Sequence, residues 1–280
     1  MQRDGAVVEG PGAAPIAVVV AGATGWVGSA LVPAILAAPD MRLVGAVARR
    51  QAGQDVGTAL GAAPVGVTLV ATVAEALAAP ATVLVDFTSA ASVQEHVLAA
   101  VERGVHVVVG ASGLDPGDDA RLDALARAKG VGVMVAGNFS LVATLAKRLA
   151  LIAAAEMPGW ELVDYAAPGK PDAPSGTAFE WAVALGSAHG RPPAVPTSDV
   201  VGHREARGAT IAGVQVHSVR VPGYVLSTAL LAGAGDERLT IRYDAGQSSA
   251  PYLAGTLLAI RRVPTLLGLV RGLEQLLPEI

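Results

Sequence analysis

The chain has 280 residues, 52% of them hydrophobic and 16% charged, with a formal net charge of −4. That length and composition allow two modest domains with sizeable cores, and a mildly acidic chain without a basic run argues against nucleic-acid binding. The absence of cysteine excludes disulfides, thiolate catalysis and thiolate metal sites, and no apolar run reaches the ~18 residues of a membrane span. No metal is expected.

Residues 1–14 are rich in Gly and Ala and lack both the basic start and the apolar centre of a signal peptide. They read as a disordered tail on a cytoplasmic protein. Ile16 to Ala21 is a short β-branched run suited to a buried parallel strand. It leads directly into Gly22-Ala23-Thr24-Gly25-Trp26-Val27-Gly28 and then into a helical apolar pattern from Ser29 to Ala38. Strand, glycine turn and helix in that order are the setting of a dinucleotide site. Gly22 permits the tight turn, Gly25 lets phosphate approach the backbone, and Gly28 lets helix pack on strand. All seven residues are assigned to the cofactor. Pro33 falls inside this helix, where proline costs about 3 kcal/mol unless a kink absorbs it. A second strand, Arg42 to Val47, ends in Ala48-Arg49-Arg50, where an acid would bind the ribose of NAD. Arg49 and Arg50 suit a 2′-phosphate instead, so NADPH is expected, with NADH as the alternative.

Strands at Val67 to Ala71 and Thr82 to Phe87 flank a short helix near Val73 to Ala79. Phe87 and Thr88 follow Asp86 at the carboxyl end of the second of these, where ligands sit in open α/β sheets. A helix from Ser92 to Arg103, a strand from Val105 to Val109, the turn Gly110-Ala111-Ser112-Gly113, a helix from Asp115 to Lys129 and a strand from Val131 to Val135 continue the alternation. This predicts an α/β fold with a doubly wound parallel sheet. Beyond a helix from Leu141 to Ala155 the rhythm changes. A strand at Trp160 to Tyr165, a polar loop from Gly190 to Thr210, and strands near Val214 to Val221, Val225 to Ala232 and Arg238 to Tyr243 predict a mostly antiparallel second sheet. Helices at Pro251 to Arg262 and Leu266 to Leu277 are expected to end the chain.

Between the first two strands of that second region lies Lys170-Pro171-Asp172-Ala173-Pro174-Ser175-Gly176-Thr177. Asp172 or Ser175 can cap a helix here, and Pro174 has the φ that suits a first turn. The N–H groups of Ser175, Gly176 and Thr177 would then be unpaired at the positive end of the helix dipole, a place for an anion. With the Lys170 ammonium and two hydroxyls they would make a carboxylate clamp. An ordinary capped helix is the structural alternative.

Lys-x-Asp-Ala-Pro-Ser-Gly-Thr resembles the substrate signature of the 4-hydroxy-tetrahydrodipicolinate reductase family, and the likeness runs from about Ile16 to the C-terminus. It implies a dinucleotide-binding domain over residues 15–138, a mixed-sheet substrate and oligomerisation domain over 139–250, and C-terminal helices from 251–280 returning to the first domain. It implies a homodimer or homotetramer, cofactor contacts at Gly110 and Ser112 along the nicotinamide, and Asn138-Phe139 as the crossover beside it. One departure stands out. The family's His-His pair falls on Ala166 and Ala167, a further histidine on Gly169, and a later one on Ser227. The five histidines present lie elsewhere and read as structural or solvated. A substitute acid would have to come from Lys170 or Tyr165, with Asp164 able to hold a water. The leading expectation is therefore an NAD(P)H-dependent reductase of a cyclic imine or enamine carboxylic acid with an altered substrate. Redox-neutral chemistry on the same scaffold, or nucleotide binding without catalysis, stands as the alternative.

Overall fold

The computed structural model describes residues 14–278 apart from 112, 115 and 190–194. The expected N-terminal tail up to residue 13 and the expected cofactor contact Ser112 therefore lie outside the described residues. In chain order the first half comprises β1 (Ile16–Ala21), α1 (Gly28–Ala37), β2 (Met41–Val47), α2 (Val56–Ala59), β3 (Leu69–Val70), α3 (Val73–Ala76), β4 (Val83–Asp86), α4 (Val93–Glu102), β5 (His106–Val109), α5 (Asp119–Lys129) and β6 (Gly132–Val135). There follow α6 (Leu141–Glu156), β7 (Gly159–Ala166), α7 (Gly176–His189), β8 (Ala209–Ile211), β9 (Val214–Arg220), β10 (Leu226–Ala234), β11 (Glu237–Ala245), α8 (Pro251–Arg262) and β12 (Gly268–Arg271).

Among the described residues the strands form two sheets. The first has seven strands in the order β12-β6-β5-β4-β1-β2-β3, and every pairing in it is parallel. Its strands are apolar on both faces, as a sheet covered on both sides requires. Along β4, Val83 and Val85 enter a core with Leu31 and Ile35 of α1 and Ile260 of α8. Leu84 enters the opposite core with Val97 and Val101 of α4 and Leu122 of α5. The second sheet has five strands in the order β11-β10-β7-β9-β8. It is mixed, since β7 and β9 run parallel while the other pairs are antiparallel. Small residues on α6 (Ala143, Ala146, Ala150) let it lie close to this sheet, and Trp181 and Leu185 of α7 fill the rest of the core.

Three expectations change. The final helix at Leu266 to Leu277 is instead strand β12 followed by a 3₁₀ turn, Leu273–Leu276. Gly268 and Gly272 both adopt positive φ, +85° and +92°, and break any helix there. The strand near Val67 shrinks to β3, and α5 begins only at Asp119, after a 3₁₀ turn. Pro33 does lie inside α1, on its solvent side. Its missing N–H deprives only the Ser29 carbonyl, near the helix start, which water can reach.

Gly28 is where α1 touches the β1 turn: a Cβ there would overlap the Gly22 carbonyl oxygen. Gly28→Ala should cost about 1–3 kcal/mol, because backbone cannot yield as a side chain does. Urea unfolding should show a lower midpoint at unchanged slope, and an unchanged midpoint would contradict the packing described.

Candidate active site

A cleft opens along the carboxyl ends of the first sheet. One part, about 570 Å³, is lined by Gly22, Gly25, Ala48, Arg49, Thr72 and Thr88 among others. The adjoining part, about 450 Å³, is lined by Trp26, Phe87, Gly110, Gly137, Phe139 and Tyr252, and both share Gly25, Phe87 and Thr88.

Its floor is the glycine turn. Gly22 has φ +81°, and a Cβ there would press on the Phe87 carbonyl. The amides of Gly22 and Ala23 both donate to the Val47 carbonyl at 3.1 Å. Thr24 Oγ1 donates to Gln51 Oε1 at 3.0 Å, fastening the turn to the segment after β2. Gly25 N–H turns back to the Gly22 carbonyl. α1 has no side-chain cap, and the N–H groups of Trp26, Val27 and Gly28 have no acceptor among the described residues. Free donors at a helix start suit a pyrophosphate. Arg49 lines the cleft, whereas Arg50, in the same 3₁₀ turn, is not among its lining residues.

Asp86 stiffens the wall. Its carboxylate, fully buried, accepts from Thr88 N–H at 2.8 Å and Thr88 Oγ1 at 2.6 Å, and His96 Nδ1 lies 2.7 Å from its other oxygen. Its carbonyl takes the Gly110 and Ala111 amides. A Cβ on Gly110 would overlap the Phe87 ring, which itself meets Phe139 edge-on at 5.6 Å. The Phe87 ring therefore lies directly against Gly110, a contact only glycine allows, and with Phe139 it walls this part of the cleft. Sequence reading missed His96 and Tyr252. Tyr252 packs edge-on to Trp26 at 5.5 Å, and burial raises its phenol above the ordinary value.

The second half of the site is the start of α7. Asp164 of β7, fully buried, accepts from Ser175 N–H at 2.9 Å and Ser175 Oγ at 2.7 Å. Ser218 Oγ and Arg220 Nη2 complete its shell at 3.2 and 2.8 Å. Two expectations are corrected here. Ser175 is 1% exposed, and both its amide and its hydroxyl are taken by Asp164, so it is not a free donor. Its Oγ also caps α7 by accepting from Ala178 N–H at 3.3 Å, a role Asp172 does not share. Pro174 lies outside the first turn, in a cis peptide with Ala173, and the helix starts at Gly176. The amides of Gly176 and Thr177 have no acceptor among the described residues, and Gly176 is exposed.

Lys170 Nζ is 2.8 Å from Asp172 Oδ1, with both side chains partly exposed. The bond holds the Asp172 carboxyl below its usual range. Tyr165 is a further correction. Side chains alternate along a strand, so it faces away from Asp164 and α7. There it stacks on Tyr224 at 5.0 Å beneath the Arg242 guanidinium, and it cannot serve as the acid beside α7. Ala166, at the first lost histidine, is 0% exposed, so no hollow remains there.

The two halves meet at Asn138. Its Oδ1 accepts from Ser140 N–H at 2.8 Å, and its Nδ2 lies 3.4 Å from Thr177 Oγ1. Its neighbours Gly137 and Phe139 line the cleft.

The family model for the dihydrodipicolinate reductase N-terminus matches residues 16–139, and that for the C-terminus matches residues 136–277. The chain belongs to the dihydrodipicolinate reductase family. It is 41% identical to the 4-hydroxy-tetrahydrodipicolinate reductase of Moorella thermoacetica, over 94% of this chain and 98% of that one. The corresponding Streptomyces coelicolor reductase is 39% identical, over 93% and 97%. A dipicolinate-bound dihydrodipicolinate reductase from Paenisporosarcina sp. TG-14 superposes with a TM-score of 0.80 at 27% identity, over 94% of this chain and all of that one. An amine dehydrogenase from Mycobacterium smegmatis shares the fold alone, at 17% identity and a TM-score of 0.64. As a dihydrodipicolinate reductase family member the chain is an oxidoreductase that uses a nicotinamide cofactor. Among the described residues no helix is long and apolar enough to cross a membrane.

Asp164→Asn would turn an amide N–H₂ toward donors already committed to a carboxylate. It should cost about 3–5 kcal/mol, the usual penalty for breaking a buried ion pair from one side. Chemical unfolding measures this, and a variant of near wild-type stability would show that Asp164 does not hold α7.

Proposed function

We propose that the chain reduces the C=N or C=C bond of a cyclic imine or enamine carboxylic acid, with NADPH as donor. The observation that supports this most is the contact at Asn138. It joins the start of α7, with its two free amides, to the nicotinamide end of the cleft. A bound nicotinamide supplies the hydride. The amides of Trp26, Val27 and Gly28 hold its pyrophosphate, and Arg49 takes the 2′-phosphate, with Arg50 in a lesser part. Ala23 and Thr24 shape the turn. Phe87, Thr88, Gly110, Asn138 and Phe139 border the ring, with Ser112 assigned there from the family likeness.

On the substrate side, Gly176 and Thr177 receive the carboxylate through backbone N–H groups, and Ser175 positions them. Lys170 adds the positive charge and gives the ring nitrogen its proton, steadied by Asp172. General acids of this kind contribute about 10²–10⁴-fold. The alanines at 166 and 167 remove two imidazoles from the substrate side, and with them two donors for a second carboxylate. This favours a ring with one carboxylate over a dicarboxylate. No feature of the described residues favours a redox-neutral reaction. A cytoplasmic location and self-association as a dimer or tetramer belong to the same proposal. The uncovered face of the second sheet, where Leu231 is 43% exposed, is where copies would meet.

The test is NADPH oxidation by purified protein across five- and six-membered cyclic imine acids with one or two carboxylates, 4-hydroxy-tetrahydrodipicolinate included. Turnover of the monocarboxylates should exceed that of the dicarboxylate. Nucleotide binding without oxidation by any of them would end the reading. Arg49→Ala should raise KM for NADPH about 10–100-fold, the worth of one charge-assisted phosphate contact, and leave KM for NADH unchanged. Equal effects on both nucleotides would remove the 2′-phosphate assignment. Lys170→Met should lower kcat/KM about 100-fold or more, read in the same assay.

A further inference from the structure

Glu180 lies one turn beyond Thr177 on α7 and is left without a role by everything above. Its carboxylate packs against the Gly137 backbone, and the nearby Gly137 N–H favours its charged form. A Cβ at position 137 would overlap Glu180 Oε1, so only glycine admits the contact. Gly137 also lines the nicotinamide end of the cleft. The charged groups facing Glu180 are Lys147 of α6, Arg271 of β12 and Glu274 of the last 3₁₀ turn. The two cations have other partners: Lys147 Nζ bonds Glu274 Oε1 at 2.8 Å, and Arg271 Nε bonds Asp119 Oδ2 at 2.6 Å. The backbone of the crossover is thus the closest attachment Glu180 has.

We propose that Glu180 is a positioning residue whose carboxylate pins the start of α7 to Gly137 and so fixes the substrate anchor at a set distance from the nicotinamide. The proposal rests on the reading of α7 as that anchor. Burial holds the Glu180 carboxyl above its ordinary value. A group whose folded value is raised binds its proton more tightly when folded. The charged form therefore costs stability at neutral pH, and that cost is relieved as pH falls through the raised value. The same fall in pH weakens the pin. Glu180 thus trades stability for alignment.

Hydrogen exchange of the 136–140 backbone, measured on the full chain across pH, tests this without any substrate. In the wild type the Gly137 amide should lose about tenfold in protection, relative to intrinsic exchange, as pH drops through the raised value, about the worth of one hydrogen bond. Glu180→Ala should lack that protection at every pH. Glu180→Gln, which can still accept the bond, should keep an intermediate protection that does not vary with pH. It should melt no lower than wild type at pH 7.5. In NADPH oxidation both variants should lose kcat about tenfold with KM for NADPH unchanged, and the acid limb of the wild-type kcat profile should be absent from Glu180→Gln. A pH-independent wild-type exchange profile at Gly137, or wild-type kcat in Glu180→Ala, would overturn the proposal. A wild-type protein that oxidises no NADPH would end the reductase reading and leave the exchange result standing.

Discussion

The site depends on one buried carboxylate. Asp164 sits in the middle of the second sheet and meets the chain at two distant places, the start of α7 at Ser175 and the end of β9 at Ser218 and Arg220. A charge so placed is tolerable only when every lone pair is used, and here four donors use them. The same bonds set where α7 begins. Because Ser175 surrenders its amide and hydroxyl to Asp164, the next two amides become the first free ones of the helix. The free amides are shifted by one residue from where the motif alone would put them, and they are fixed to the sheet rather than to a mobile loop. Arg220 reinforces this by also donating to the Asp172 carbonyl at 2.6 Å.

Asp86 repeats the device in the first sheet. It too is fully buried: its carboxylate bonds Thr88 and His96 while its carbonyl takes the Gly110 and Ala111 amides, and together these hold the strand ends that border the cleft. Each sheet therefore carries one internal carboxylate that converts a loop into a rigid wall. Asn138 and Glu180 then set one wall against the other. Precise spacing between walls matters because hydride transfer requires reacting atoms about 3–3.5 Å apart. The lost imidazoles do not disturb this frame, since neither Ala166 nor Ala167 belongs to it.

Much of the frame was legible in the sequence because its signals are local. The β1 run, three spaced glycines and an apolar helix lie within some twenty residues and need no distant partner to be recognised. The Lys170 to Thr177 signature is equally local. What failed was non-local. Nothing near Ser175 announces that its donors are already occupied: their acceptor, Asp164, lies on β7 and is itself held by Arg220, 45 positions beyond Ser175 (220 − 175). Tyr165 was misjudged although strand alternation beside Asp164 already sets it on the other face. Leu266 to Leu277 is an apolar stretch whose period does not decide between helix and strand, and parallel pairing with β6 decided it. His96 and Tyr252 reach the cleft only because α4 and α8 pack beside it, and no motif marks either of them.

The most direct measurement is a crystal structure of the protein with NADP⁺ and picolinate, a planar ring carrying one carboxylate. The account predicts carboxylate oxygens within hydrogen-bond distance of Gly176 and Thr177 N–H, Ser175 still bound to Asp164, and the ring facing a nicotinamide laid against Gly110. A carboxylate bound anywhere else while those two amides face solvent would contradict it.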